Sequence, residues 1–224
     1  VQPSFYFFIP ILFGSLFQQL YNTVDAIVVG NFVGKEALGA VGGSTGTVIN
    51  LLVGFVVGLA SGATVVIAQY YGRQVYSSMF LAIVLGFLLM AVGIWFTPQI
   101  LDLLNVPDSI MEYSVTYMRI FLTGMIPSLI YNNGSGILRA VGDSKRPLYF
   151  LVAACLANIV LDILFVVVFH WGVAGVAIAT TLAQVLSCTL TLYVLGRSSD
   201  IYAFHLSKLH FDAPTLLRII EIGL

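Results

Sequence analysis

The sequence predicts an all-α fold, a polytopic membrane bundle of six transmembrane helices, and three observations carry that prediction. Only 8% of the 224 residues are charged and 59% are hydrophobic, against about 25% charged in an ordinary soluble domain. The apolar residues fall in long continuous runs and do not alternate as barrel strands do. Six of these runs reach the ~20 residues that a helix needs to cross a bilayer. Such a composition excludes a soluble enzyme and also excludes disorder, which needs low hydrophobicity and high charge. A formal net charge of −1 leaves no electrostatic footprint for nucleic acid.

The first span is expected over Pro3–Gly30 and the second over Leu38–Tyr71, long enough to tilt or to kink at a glycine. The third covers Val75–Phe96, the fourth Tyr113–Ala140, the fifth Pro147–Phe169 and the sixth Val173–Leu195. The first span lacks a basic start and carries polar residues, so it reads as a span and not as a cleaved signal peptide. Gly72-Arg73-Gln74 leaves an unusually short link between spans two and three. Residues 1–198 form the six-helix lobe, and 199–213 turn polar and read as an interfacial cytoplasmic linker. Residues 214–224, opened by Pro214, read as the start of a seventh helix.

Charge orients the bundle. Arg73, Arg139, Lys145, Arg146, Arg197, Lys208 and Arg218 fall on one side, seven of nine basic residues. By the positive-inside rule that side is cytoplasmic, and both chain ends lie there. Cys155 and Cys188 sit inside apolar runs and read as small core residues, not as a disulfide or metal site.

The polar residues left inside the spans carry the most information. Ser15, Gln18, Asn22 and Asp25 repeat at helical spacing in the first span. Ser128, Asn132, Ser135 and Arg139 do so in the fourth, and Thr180, Gln184, Ser187 and Thr191 in the sixth. Lipid satisfies no hydrogen bond, so these faces must meet each other or water. Helix–helix bonding explains any single Ser or Thr, at about 0.6 kcal/mol each. Three aligned stripes also fit a hydrated cavity between helices.

Asp25 and Asp162 demand more. A carboxylate at membrane depth costs ~2.5–3.5 kcal/mol on insertion scales, and function is the default reading of such a residue. Asn158 and Asp162 are four apart, so they share one helix face. A carboxylate, an amide oxygen and a Thr hydroxyl from a neighbouring helix make an oxygen cage suited to a hard cation. The same carboxylate could instead carry a proton, and either ion would neutralise the site. The competing reading is a structural Asp bonded across helices. Pro10, about four turns before Asp25, is either a hinge or a static kink. Gly54, Gly58 and Gly62 form a small-residue packing face. Asp25 and Asp162 are each followed by a Gly-containing exit and a small-residue helix start, an echo of the repeats that transporters use. No catalytic elbow, phosphate loop or metal-ligand cluster occurs, so no enzyme is expected.

These residues resemble the multidrug and toxic compound extrusion (MATE) family. Pro10 through Gln19-Leu20-Tyr21-Asn22-Thr23-Val24-Asp25 resembles its first helix, and Leu38-Gly39-Ala40-Val41-Gly42 the opening of its second. Gly136–Asp143 before Lys145-Arg146-Pro147 resembles its fourth helix and cytoplasmic exit. Asn158-x-x-x-Asp162 and Gly172–Ala177 resemble its fifth and sixth. The resemblance implies one lobe of a twelve-helix antiporter, exporting lipophilic or cationic compounds against proton or sodium entry. It implies a cation pocket of Asp25, Asn158, Asp162 and Thr180, with sodium or a proton as the coupling ion and no other cofactor. It makes Pro10 a bending proline and links Tyr117 and Asn132 to the cavity, where Gln184 also falls by its stripe. Membrane lipid, drug-like cations and a second lobe or second chain are the expected partners, in the cytoplasmic membrane of a bacterium. Two alternatives stay open. One is a lipid-linked oligosaccharide flippase, with Arg119 and Arg139 as its basic candidates. The other is a non-transporting structural subunit.

Overall fold

The computed structural model describes residues 2–43, 45–51, 53–54, 58 and 73–197. The described backbone is helical throughout its ordered elements. α1 runs Gln2–Phe32 and α2 Lys35–Gly42, followed by α3 (Arg73–Leu103) and α4 (Asp108–Thr123). α5 spans Met125–Ala140, and α6 (Lys145–Asp162) continues as a π-helical turn over Ile163–Val168. α7 (Gly172–Arg197) closes the bundle. Three of these helices are long and apolar enough to cross a membrane on length and composition: Tyr76–Leu103, Lys145–Val168 and Gly172–Arg197.

Within the described residues the expected spans need five corrections. The second breaks at Gly43, whose N–H reaches back to the Gly39 carbonyl at 2.9 Å, before helical backbone resumes over 45–51. Arg73 and Gln74 are helical, so two residues of the expected short link belong to α3. α3 also runs past Phe96 to Leu103 and takes Asp102 into the helix. The fourth span is two helices parted at Gly124. Pro127 explains that break, because it has no N–H to meet the carbonyl of Thr123 across one turn. The fifth span changes from α to π geometry directly after Asp162. The linker 199–213, the helix expected from 214 and Gly62 lie outside the described residues, as do the side chains of Pro10, Ser15 and Gln18.

α7 is the central staff. It packs against α1, α2, α4, α5 and α6. Half of its apolar stretch is buried, against 17% for that of α3. Its sequence explains this position. Gly175, Ala177, Ala179, Ala183 and Ser187 are all buried, and small residues let neighbouring backbones close in where lipid gives no hydrophobic drive. At the α5 crossing a Cβ on Gly134 would run into Thr191 Cγ2 and lie 3.2 Å from Leu195.

Two substitutions test this packing. Gly134→Val should cost about 1–3 kcal/mol through overpacking. Gly54→Ala meets nothing within 4 Å among the described residues and should leave stability unchanged or slightly raised. Unfolding midpoints in detergent check both. Equal midpoints for the two variants would contradict close α5–α7 contact.

Candidate functional site

Three helices deliver four polar side chains to one place. α1 brings Asp25, α6 brings Asn158 and Asp162 one turn apart, and α7 brings Thr180. Their relative exposures are 3%, 1%, 0% and 3%. The Thr180 hydroxyl donates to Asp25 Oδ2 at 3.2 Å. The Asn158 amide donates to Thr180 Oγ1 at 3.4 Å. The carboxyls of Asp25 and Asp162 interact directly. One relay therefore ties α6 to α7 to α1.

The bonds not made say more than those made. Asp25 Oδ1, Asn158 Oδ1 and both carboxylate oxygens of Asp162 are buried without a hydrogen-bond partner. All four are acceptors, so the site lacks positive charge or donors, not more oxygen. No basic residue among the described ones supplies them. Among the described residues the one ion pair joins Arg146 to Asp143 at 3.1 Å, outside this site. Two carboxylates, an amide oxygen and a hydroxyl suit a hard cation such as sodium, or a proton. No group of three or more His, Cys, Asp or Glu with metal-binding arrangement occurs among the described residues. That donor set gives no reason to invoke a softer metal.

The surroundings are dry. Val28 and Val29 of α1, Val166 of the π turn and Val176 of α7 are buried apolar neighbours in the core along these helices. Toward the start of α6, Cys155 lies on the face of Asn158 and Asp162, with its thiol 3.7 Å from the Phe17 carbonyl. That contact joins α6 to α1 two turns before Asp25.

The other expected site residues are placed elsewhere. Tyr117 is buried in the α4 core and stacks on Phe121 at 6.1 Å. Asn132 donates to the Ser128 carbonyl at 2.8 Å, within its own helix. Gln184 sets its buried Oε1, which has no partner, against Gly124 at the α4–α5 break. Ser187 and Thr191 bond to carbonyls of their own helix at 2.9 and 2.8 Å. Most of the α5 and α7 stripes are thus spent on local bonding and helix contact. Asn22 faces outward on α1. Pro10 lies within α1, with its side chain outside the description. Two features escaped sequence reasoning. Gly124 through Pro127 signalled the broken span. Nothing in Ile163–Val168 signals a π turn, because its residues suit either helix.

The MatE family model matches residues 10–164, well over half the chain. The chain belongs to the MATE family. It is accordingly a multi-pass membrane protein. It is 33% identical over 186 residues to the probable multidrug resistance protein YpnP of Bacillus subtilis, covering 80% of this chain and 42% of YpnP. Among solved structures it resembles a MOP superfamily transporter from Pyrococcus furiosus, with a TM-score of 0.85 and 29% identity. That protein is described as having a binding pocket of reverse polarity, which suggests a different function for it. An outward-facing MATE family multidrug resistance transporter gives a TM-score of 0.84 at 28% identity. Both alignments cover 96% of this chain and 49% of the other. The chain spans about half the length of the MATE relatives it matches.

Thr180 holds the site together, which sets a prediction. Thr180→Val strands Asp25 Oδ2 and the Asn158 amide, and should cost about 1–3 kcal/mol of stability. Thr180→Ser keeps the hydroxyl and should recover most of that loss. Comparable unfolding midpoints for the Val and Ser variants would contradict the relay.

Proposed function

We propose that this chain is the cation-binding half of a secondary antiporter that exports lipophilic, cationic compounds in exchange for entering protons or sodium ions. One observation carries the reading. Two buried carboxyls and an amide leave four acceptor atoms without a hydrogen-bond partner, and among the described residues no basic residue pairs with them. The naming of YpnP as a multidrug resistance protein supports the choice of substrate class.

On this reading Asp25 and Asp162 carry the charge, while Asn158 and Thr180 add neutral oxygens. A proton or sodium ion entering the pocket cancels charge that the dry surroundings cannot screen. The filled and empty lobe then favour different packings of α1 against α6 and α7. Pro10 is where α1 would bend between them. The ion supplies the shift only through its different affinity for the two packings. A cationic substrate would compete for the same negative charge, which makes exchange obligatory. The substrate cavity would lie between this lobe and a second six-helix unit, on the same or another chain. The protein would sit in the cytoplasmic membrane of a bacterium with both ends inside, since seven of nine basic residues fall on one side.

Transport in proteoliposomes tests the proposal. Asp162→Asn should lower efflux of a fluorescent lipophilic cation roughly tenfold or more, the loss of an interaction worth at least ~1.4 kcal/mol. Its unfolding midpoint should not fall, because the variant removes a buried charge. Efflux at the wild-type rate under an imposed pH or sodium gradient would sink the assignment. If sodium is the ion, its half-saturating concentration should rise as pH falls, by up to about tenfold per pH unit for one competing proton. A sodium dependence indifferent to pH would show that the two ions do not share these carboxylates.

A further inference from the structure

The π turn after Asp162 is seated against one glycine. Within it the Phe169 N–H bonds to the Leu164 carbonyl at 3.0 Å, five residues back. The Trp171 N–H then bonds to the Phe165 carbonyl at 2.9 Å. A π turn holds an extra residue, so its backbone bulges beyond the α-helical cylinder. Here the bulge points at α7. A Cβ on Gly175 would lie 3.1 Å from Phe165 Cβ, 3.3 Å from the Phe165 carbonyl carbon and 3.2 Å from Trp171 Cβ. Each approach is tighter than ordinary van der Waals contact between carbons. The Phe165 ring is buried and stacks on Trp171 at 4.9 Å, which fixes the turn from its other side.

The location gives this contact its meaning. Phe165 follows Asp162 by three residues and Gly175 precedes Thr180 by five. At 1.5 Å per residue the contact sits roughly 4–8 Å along both helices from the carboxylate and the hydroxyl. No polar atom takes part, so its effect on the pocket is purely geometric. Apart from the Asp25 carboxyl, no side chain among the described residues bonds to either Asp162 oxygen. The backbone of α6 and its π turn therefore has a large share in placing that carboxylate.

We propose that Gly175 is a positioning residue of the cation pocket. The notch that it leaves seats the π turn, and the seated turn sets the height and rotation of Asp162 opposite Thr180 and Asp25. This inference rests on the pocket being the cation site proposed above. A side chain at 175 pushes the wide turn off α7 and carries Asp162 with it. Ion sites tolerate displacements of only about 0.5 Å. Removing one residue from the turn narrows it towards α geometry and frees the room that the new side chain needs. Val168 suits that deletion, since it is 58% exposed and follows Asp162. Residues 145–162 then keep their places.

Cation uptake by the intact purified protein is the test, with sodium measured by calorimetry and protons by potentiometric titration. Gly175→Ala should weaken uptake several-fold and Gly175→Val by roughly tenfold or more, a shift of at least ~1.4 kcal/mol. Gly175→Val combined with deletion of Val168 should recover most of the wild-type affinity. A contact that served stability alone would lower the unfolding midpoint of Gly175→Ala and leave its uptake affinity unchanged. Wild-type uptake in Gly175→Val, or a double variant as weak as the single one, would overturn the positioning role. If Gly175→Val does not fold, Gly175→Ala decides on the same measurement, and unchanged uptake overturns the role. A wild-type protein that takes up neither ion saturably would instead overturn the cation reading of the pocket, and this role would fall with it.

Discussion

Two acidic side chains buried together in a low-dielectric bundle are the constraint on which this structure turns. Asp25 and Asp162 interact directly, nearly fully buried, with no Lys or Arg beside them among the described residues. Removing two charges from water is costly, and like charges side by side add to the cost. A bundle whose purpose was only stability would fill these positions with apolar side chains. The Thr180–Asn158 relay recovers part of the cost with two hydrogen bonds, yet four oxygens remain without partners. Under the proposed function, a small cation or protons from outside would complete the site.

The rest of the fold serves that site through close approach. The first half of α7 is rich in small residues, and the π turn closes on it at Gly175. Leucines in that half would hold the four polar side chains too far apart to meet. Most of the largest fully buried side chains lie on α3–α5, Met118, Leu122 and Met125 among them, with Leu195 the exception on α7 and Val29 on α1. Two departures from regular helix lie on the faces that α7 contacts. The Gly124 break meets Gln184, and the π turn meets Gly175. α7 therefore works as a rigid reference against which irregular neighbours are registered.

Much of this was legible in the residues. The six-span architecture followed from run length and charge scarcity, because a bilayer imposes both directly. Asp25 and Asp162 stood out because charge at membrane depth is so costly, and the i, i+4 spacing put Asn158 with Asp162. That Asp25, on another helix, joins them with Thr180 depended on family resemblance, since spacing within one helix says nothing about which helices meet. The α5 and α7 stripes left two readings open for a related reason. Periodicity shows which face a residue occupies, and cannot tell a bond to its own carbonyl, as in Asn132, Ser187 and Thr191, from a bond into a cavity. The break at Gly124 was readable from Pro127. The π turn was not, because the Gly175 contact that accommodates it is tertiary.

The central claim is that the paired carboxylates exchange a cation. An infrared titration of carboxyl protonation in the intact protein tests it most directly, with and without sodium, in wild type and Asp162→Asn. A carboxyl band that changes saturably with pH, responds to sodium if that is the coupling ion, and disappears in Asp162→Asn is the expected result. Identical titrations for wild type and variant, in the presence and absence of sodium, would contradict it and leave the two aspartates as structural residues.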